Sequence, residues 1–316
     1  MSQKRVTVLG GTGFVGTQLS FHLAEQFDEV VIPTRRKQRV TTSRVLPKLQ
    51  FVEANIHDRE QLDSVLTGSD VVINLVGLLN ESGKASKNSF AGAHEVLTTN
   101  IVAACKSLHI PRYLHISALN ADASEGSSEY LKSKGRAELA IGQASSDLSW
   151  TIFQPSVIFG ANDSFFNRFA DLLRALPIFP LACPDSRMAP VFVGDVCNTM
   201  ISAINDDNSR GKIIQLCGPD VMTLRELVDY TAATAGIRSK IINLPDGLAK
   251  LQASIMEFVP GKPFSKDNYL SLQTDSVCDG NCTPQPTSIN AIAPSYLGKV
   301  EKNNQHQTYR ELARRS

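Results

Sequence analysis

The chain of 316 residues is 42% hydrophobic, which is enough for one large α/β domain or a domain with a smaller lobe. Its 32 Lys and Arg against 31 Asp and Glu leave a formal charge of +1, which excludes an overall field able to gather nucleic acid or an anionic membrane. The opening "MSQKRVTVLG" lacks the apolar run of a secretory signal, and no stretch reaches the roughly 18–20 apolar residues of a spanning helix. A cytoplasmic protein is therefore expected, with any membrane contact peripheral.

In chain order, "RVTVLG", "GTQLSFHLAEQF", "EVVIPTR", "LQFVEANI", "REQLDSVLTG" and "DVVINLVG" alternate β-branched runs with helical patterns. That alternation predicts parallel strands joined by right-handed crossovers, with helices on both sheet faces. The first strand-to-helix turn holds four glycines, read either as GxGxxG (Gly11, Gly13, Gly16) or as GxxGxxG (Gly10, Gly13, Gly16). In this context the loop Gly10, Gly11, Thr12, Gly13, Phe14, Val15 and Gly16 is predicted to cradle a dinucleotide pyrophosphate at a helix N-terminus. The second strand ends in Thr34, Arg35 and Arg36, where an NAD-specific site carries an acidic residue. Guanidinium groups there suit a 2′-phosphate, with no carboxylate nearby to repel it, so NADP(H) is expected over NAD(H). Asn55 and Ile56, after the third strand, fall where an adenine edge would lie. Leu75, Val76 and Gly77, after the fourth, would face the cofactor, with Asn74 holding the turn by hydrogen bonding.

Next come a helix around "AHEVLTTNIVAACKSL", the strand "RYLHISA", a helix from about Tyr130, and "SWTIFQPSVIFG", read as one strand. Tyr130 and Lys134 form YxxxK, which places both on one helix face while Lys132 points elsewhere. An ammonium beside a phenol favours the phenolate, so Lys134 is expected to lower the pKa of Tyr130 for acid/base work. Ser117 ends the preceding strand, where its hydroxyl could orient a substrate carbonyl. His94 lies near the expected substrate mouth and reads as packed or capping; His115 reads as core.

Past Gly160 the pattern loosens: "LPIFPLACPD" reads as loop because its prolines break helices. "APVFVGDVCNTMISAI" reads as a strand capped into a helix by Asp195, and "KIIQLCGPDVMTLRELVDYTAATAG" as strand, loop and helix. The helix in "DGLAKLQASIMEFVPG" carries Leu248, Leu251, Ile255, Met256 and Phe258 with few charges opposite. It reads as core packing, with an apolar substrate mouth, membrane surface or partner protein as alternatives. The cysteines read as reduced, mostly buried thiols; Cys278 and Cys282 form CxxxC without a second pair, so no metal is expected. The chain divides into a Rossmann core, 1–160, a mixed region with the final strands and a small substrate or partner lobe, 161–300, and a polar tail, 301–316.

These motifs resemble the short-chain dehydrogenase/reductase superfamily in its extended or atypical branch. The resemblance selects the GxxGxxG frame, assigns Ser117, Tyr130 and Lys134 as the catalytic set with Lys134 also on the nicotinamide ribose, and adds Asn100 as a supporting residue. It makes "QPSVIFG" the segment beside the nicotinamide, with Pro155 and Val157 as contacts, and marks Gln154 as a departure where many relatives have arginine. The segments "VLGGTGFVG", "NLVGLL", "LHISALNADASEGSSEYLKSK", "WTIFQPSVIFG" and "LCGPDVMTLREL" are similar to a subgroup that includes the NADPH-binding accessory subunit of respiratory complex I and its bacterial relatives. The fold implied is a Rossmann-type doubly wound parallel sheet with a smaller C-terminal lobe. The function implied is an NADP(H)-dependent oxidoreductase acting on a quinone-related or other carbonyl or hydroxyl substrate. The subgroup implies an alternative, a non-catalytic cofactor-loaded structural or assembly protein of a membrane complex, peripheral to the inner membrane; a redox-sensing regulator is a third. A small-molecule substrate and no nucleic acid are the expected partners.

Overall fold

The computed structural model describes residues 4–35, 47–81, 89–144, 148–259, 264–280 and 282–298. Strand β1 (Arg5–Leu9) is buried from its second residue onward because helices cover both faces of the sheet it begins. The chain continues through α1 (Phe14–Gln26), β2 (Glu29–Thr34), β3 (Leu49–Glu53), α2 (Arg59–Leu66) and β4 (Val71–Asn74). A π-helical turn, Ala91–Val96, runs into α3 (Leu97–Ser107), followed by β5 (Arg112–Ile116), α4 (Glu129–Gly142) and β6 (Ser149–Pro155). Then come β7 (Ile158–Phe159), α5 (Phe166–Ala175), β8 (Ile178–Leu181), β9 (Arg187–Met188), β10 (Val191–Phe192), α6 (Val193–Asn205) and β11 (Lys212–Leu216). The described chain closes with β12 (Met222–Thr223), α7 (Leu224–Thr234), β13 (Lys240–Asn243), α8 (Asp246–Met256), α9 (Lys266–Ser271), α10 (Ile289–Ile292) and α11 (Pro294–Leu297).

Seven strands form one parallel sheet in the order β11-β6-β5-β4-β1-β2-β3. The sheet is doubly wound: the strand order reverses between β1 and β4, which opens a ligand crevice beyond their C-terminal ends. Leu19 and Leu23 of α1 pack with Val196 and Met200 of α6 on one face. Leu62 and Leu66 of α2, Ile101 of α3 and Ile141 of α4 fill the other. A smaller C-terminal region has its own core, in which Phe159, Phe166 and Leu173 meet Leu227 and Val228.

Three local expectations change. "LPIFPLACPD" contains β8, which pairs in parallel with β13, so Pro180 lies in a strand after all. A proline is tolerated there because a two-stranded sheet leaves each strand one edge without partners. "SWTIFQPSVIFG" is two strands: β6 ends at Pro155, and β7 leaves the large sheet to pair with β10. Asp195 is not a cap, since α6 starts at Val193; its carboxylate accepts the N–H and hydroxyl of Thr287, each at 3.0 Å, and pins the C-terminal segment to α6. The tail 301–316 lies outside the described residues.

Candidate functional site

Gly10 sits at φ +80°, a left-handed conformation that β1 needs in order to turn into α1. A Cβ on Gly16 would lie 2.3 Å from the Gly10 carbonyl oxygen, so α1 packs against its own turn only because that atom is missing. Gly13 is the N-cap of α1, with no side-chain cap and no acidic residue in the first turn. The first amides of α1 therefore remain as donors, and with exposed Thr12 and Gly13 they form a cradle that fits a pyrophosphate. Phe14 and Val15 instead turn inward and pack on the core.

At the neighbouring corner Arg35 is exposed just beyond β2, while Arg36 lies outside the described residues. Glu53 is the register partner of Thr34, so a carboxylate does stand across this corner, contrary to the expectation. A sequence exposes only a residue's neighbours along its own strand. Asn55 is exposed, and its side-chain oxygen accepts the His57 N–H at 3.3 Å; Ile56 packs into the core. The Asn74 side-chain oxygen accepts the Val76 N–H at 3.1 Å and so holds the turn of half-buried Leu75 and Val76 and exposed Gly77.

Helix α4 starts at its N-cap Ser128, whose hydroxyl accepts the Leu131 N–H at 3.2 Å, and presents Tyr130, Lys134 and Glu138 on one face at four-residue spacing. The Lys134 ammonium is buried and donates to the Ile116 carbonyl at 3.0 Å, at the end of β5. A Cβ on Gly77 would lie 3.5 Å from the same Nζ, so the ammonium also faces the loop after β4. Burial brings Lys134 down to about 8, opposed by the charge of Glu138. The expected lowering at Tyr130 does not occur: burial, and then the nearby charge of Asp267, push its phenol up to about 12. Ser117 follows β5 and is buried, with no partner for its hydroxyl within hydrogen-bond geometry, although it lies close enough to Glu138 to favour that carboxylate's charged form. Asn100 lies half-buried on α3, and no hydrogen bond among the described residues joins it to Ser117, Tyr130 or Lys134. Pro155 ends β6 buried, and Val157 packs on the core of the C-terminal region.

His94 sits on the π-helical turn, fully buried. Its Nε2 accepts the Leu78 N–H at 2.9 Å, so Nδ1 carries the proton and donates to Ser133 Oγ at 2.8 Å, and that hydroxyl donates to the Tyr130 carbonyl at 2.8 Å. The ring meets Tyr130 edge-on at 5.5 Å. Burial, with the charges of Lys134 and His115, brings His94 down to about 2 and keeps it neutral. His115 is core, hydrogen-bonded through Nδ1 to Tyr113 and Asn74.

Two residues that the sequence did not single out complete the surroundings. Glu138 accepts both hydrogen bonds of the Gln154 amide, at 2.9 and 3.0 Å, and burial raises its pKa. Extending YxxxK by one more turn would have found it. Asp267 of α9 accepts the Glu129 N–H at 2.7 Å and the Tyr130 N–H at 3.3 Å, capping α4 from 137 residues away. No local pattern signals that contact.

A family of NAD(P)H-binding domains matches residues 10–164. The chain is 28% identical over 291 residues to the mitochondrial NADH dehydrogenase [ubiquinone] 1 alpha subcomplex subunit 9 of Arabidopsis thaliana, covering 87% of this chain and 71% of that protein. Against the subunit of the same name from Mus musculus it is 27% identical over 321 residues, covering 97% and 81%. In fold it is similar to the dTDP-glucose 4,6-dehydratase DesIV of Streptomyces venezuelae, with a TM-score of 0.69 at 18% identity over 93% of this chain and 95% of that one.

Proposed function

We propose that the chain, whose residues 10–164 match a family of NAD(P)H-binding domains, belongs to the atypical branch of the short-chain dehydrogenase/reductase superfamily and is an NADP(H)-dependent oxidoreductase acting on a carbonyl or alcohol, with quinone-related compounds as the substrate class. The observation that carries this reading is Lys134: a buried ammonium at the C-terminal ends of the central strands, held by one backbone carbonyl. Burying a charge without an ion-pair partner costs several kcal/mol or forces the pKa down, which a merely structural position has no reason to bear.

The glycine cradle and the open amides of α1 hold the pyrophosphate, and Lys134 has two N–H donors left for ribose hydroxyls. A bound nicotinamide supplies the hydride. Tyr130, with its pKa near 12, keeps its proton at neutral pH and can give it to the carbonyl oxygen that becomes the alcohol. Ser117 Oγ donates a hydrogen bond to the same oxygen. Arg35 favours the 2′-phosphate, against the opposing charge of Glu53 on the next strand.

The test is NADPH oxidation, followed by absorbance, against quinones, quinone precursors and simple carbonyl compounds. Tyr130→Phe is expected to lower kcat by roughly 10²–10⁴-fold while leaving the NADPH Kd unchanged. Arg35→Ala is expected to weaken NADPH about tenfold more than NADH, the loss of one charge-assisted contact. Turnover that survives Tyr130→Phe overturns the mechanism.

One observation favours a second reading, a cofactor-loaded structural or assembly subunit of a membrane complex. The face of α8 and the turn after it leaves Leu248, Leu251 and Ile255 exposed, and Phe258 is 89% exposed. The relatives named above are, by name, subunits of a mitochondrial NADH dehydrogenase [ubiquinone]. An NADPH-loaded chain that oxidises none of these substrates, and copurifies with membrane-complex proteins, would favour this reading.

A further inference from the structure

Taken alone, Cys278 and Cys282 lack a third ligand. The fold supplies one, because Cys217, immediately after β11, comes within 4.8 Å of both, sulfur to sulfur. Cys278 touches both other sulfurs. A sulfur forms one disulfide, so a covalent pairing of either kind would leave a third thiol pressed against a bonded pair. One thiophilic cation accommodates all three sulfurs at once: at zinc–sulfur distances near 2.3 Å, tetrahedral thiolates lie about 3.8 Å apart.

The surroundings are those of a built site. Cys217 is buried, and Leu119, Ala189 and Val277 line the cluster. The loop that carries the other two cysteines is held to the sheet edge by Gln215, whose amide donates to the Asp279 carboxylate at 3.3 Å and whose oxygen accepts the Asp279 N–H at 3.2 Å. The Cys282 N–H donates to the Asp279 carbonyl at 3.2 Å and closes the turn between the ligands. On the other side the Gln285 N–H donates to the Cys217 carbonyl at 2.7 Å. These contacts orient the thiols before any ion arrives, as outer contacts do at structural metal sites.

We propose that Cys217, Cys278 and Cys282 form a structural zinc site that fastens the C-terminal segment to the edge of the Rossmann sheet. Three thiolates select a soft cation over magnesium or calcium; a water completes the tetrahedron, where most structural zinc sites take all four ligands from the protein. The same segment is held again just upstream: the Ser276 carbonyl accepts the Ala189 N–H at 3.0 Å and the Ser156 hydroxyl at 2.7 Å. Farther upstream it carries Asp267, which caps α4 beside Tyr130. The metal would thus stabilise the segment whose Asp267 caps α4.

The test uses the full chain purified under reducing conditions from zinc-supplemented cells. About one zinc per chain is expected, falling below about one-tenth in Cys278→Ser and Cys282→Ser. In the unmutated chain, stripped of zinc and titrated with cobalt(II), thiolate-to-metal charge-transfer bands and the intense visible bands of tetrahedral cobalt are expected; this readout does not depend on how well the variants fold. Removing zinc with a chelator is expected to lower the Tm and to expose the C-terminal segment to protease. A chain without zinc that gives no cobalt spectrum overturns the proposal. So does a disulfide at Cys278, identified by mass spectrometry in protein that still binds zinc, or zinc retained after all three cysteines are changed to serine.

Discussion

Lys134 has a conflict at the level of a single residue: α4 and the ends of two strands enclose an ammonium that water would solvate better. Its pKa falls from 10.5 to about 8. The unfolded chain therefore holds this proton more tightly, and between pH 8 and 9.5 the folded form releases it first. In that window the contribution of Lys134 makes stability rise with pH, by about 2 kcal/mol in total. Cys105 and Cys197, each pushed up to about 12 by burial, bend the curve the other way, but they do so equally in a variant and cancel in the comparison. Denaturant unfolding of the cofactor-free chain at pH 8 and 9.5 is accordingly expected to give a more positive change for the native sequence than for Lys134→Met. Equal changes would mean that the ammonium is solvated. YxxxK was legible because its two members share a helix face. The raised pKa of Tyr130 was not, because its causes are enclosure and a carboxylate 137 residues away.

At the scale of an element, the β1–α1 turn rests on a missing side chain. Gly16→Ala would place a methyl 2.3 Å from the Gly10 carbonyl oxygen, so α1 must move away from its own turn. The expected cost is about 1–3 kcal/mol, with NADPH affinity reduced at least tenfold because the helix N-terminus shifts with the helix. Thermal unfolding and cofactor titration check both; a variant that binds NADPH normally would show that the cradle is elsewhere. The parallel sheet was legible element by element, since "RVTVL", "EVVIPT" and "VVIN" are apolar runs bounded by turn residues. The strand at Ile178–Leu181 was not, because two prolines mask it and its partner lies at Lys240–Asn243. The π-helical turn carrying His94 was equally hidden: one extra residue per turn leaves the apolar periodicity nearly intact.

Over the whole molecule, polar contacts at several places join the C-terminal segment to the rest of the chain: Asp267 on the first N–H groups of α4, Ser276 on Ser156, and Thr287 on Asp195. Asp267→Ala removes the carboxylate that accepts the first N–H groups of α4. The expected loss is about 1 kcal/mol, the usual worth of a helix cap, with faster proteolysis of the segment after residue 264 and little change in the far-ultraviolet spectrum. A variant as stable and as protease-resistant as the native chain would show that Asp267 does not fasten this segment. This long-range joining is the least legible part of the sequence, because Glu53 opposite Thr34, Asp267 beneath Tyr130 and Cys217 beside Cys278 each become neighbours only once the topology is known.

The same separation has a meaning in time. A ribosome adds the 137 residues between Tyr130 and the carboxylate that caps its helix in roughly 7–27 s. For much of that interval the glycine cradle and Lys134 are outside the ribosome while the wall over them has yet to be synthesised. Cofactor captured during synthesis would then be enclosed by a segment that emerges later, and its escape afterwards would require that segment to lift.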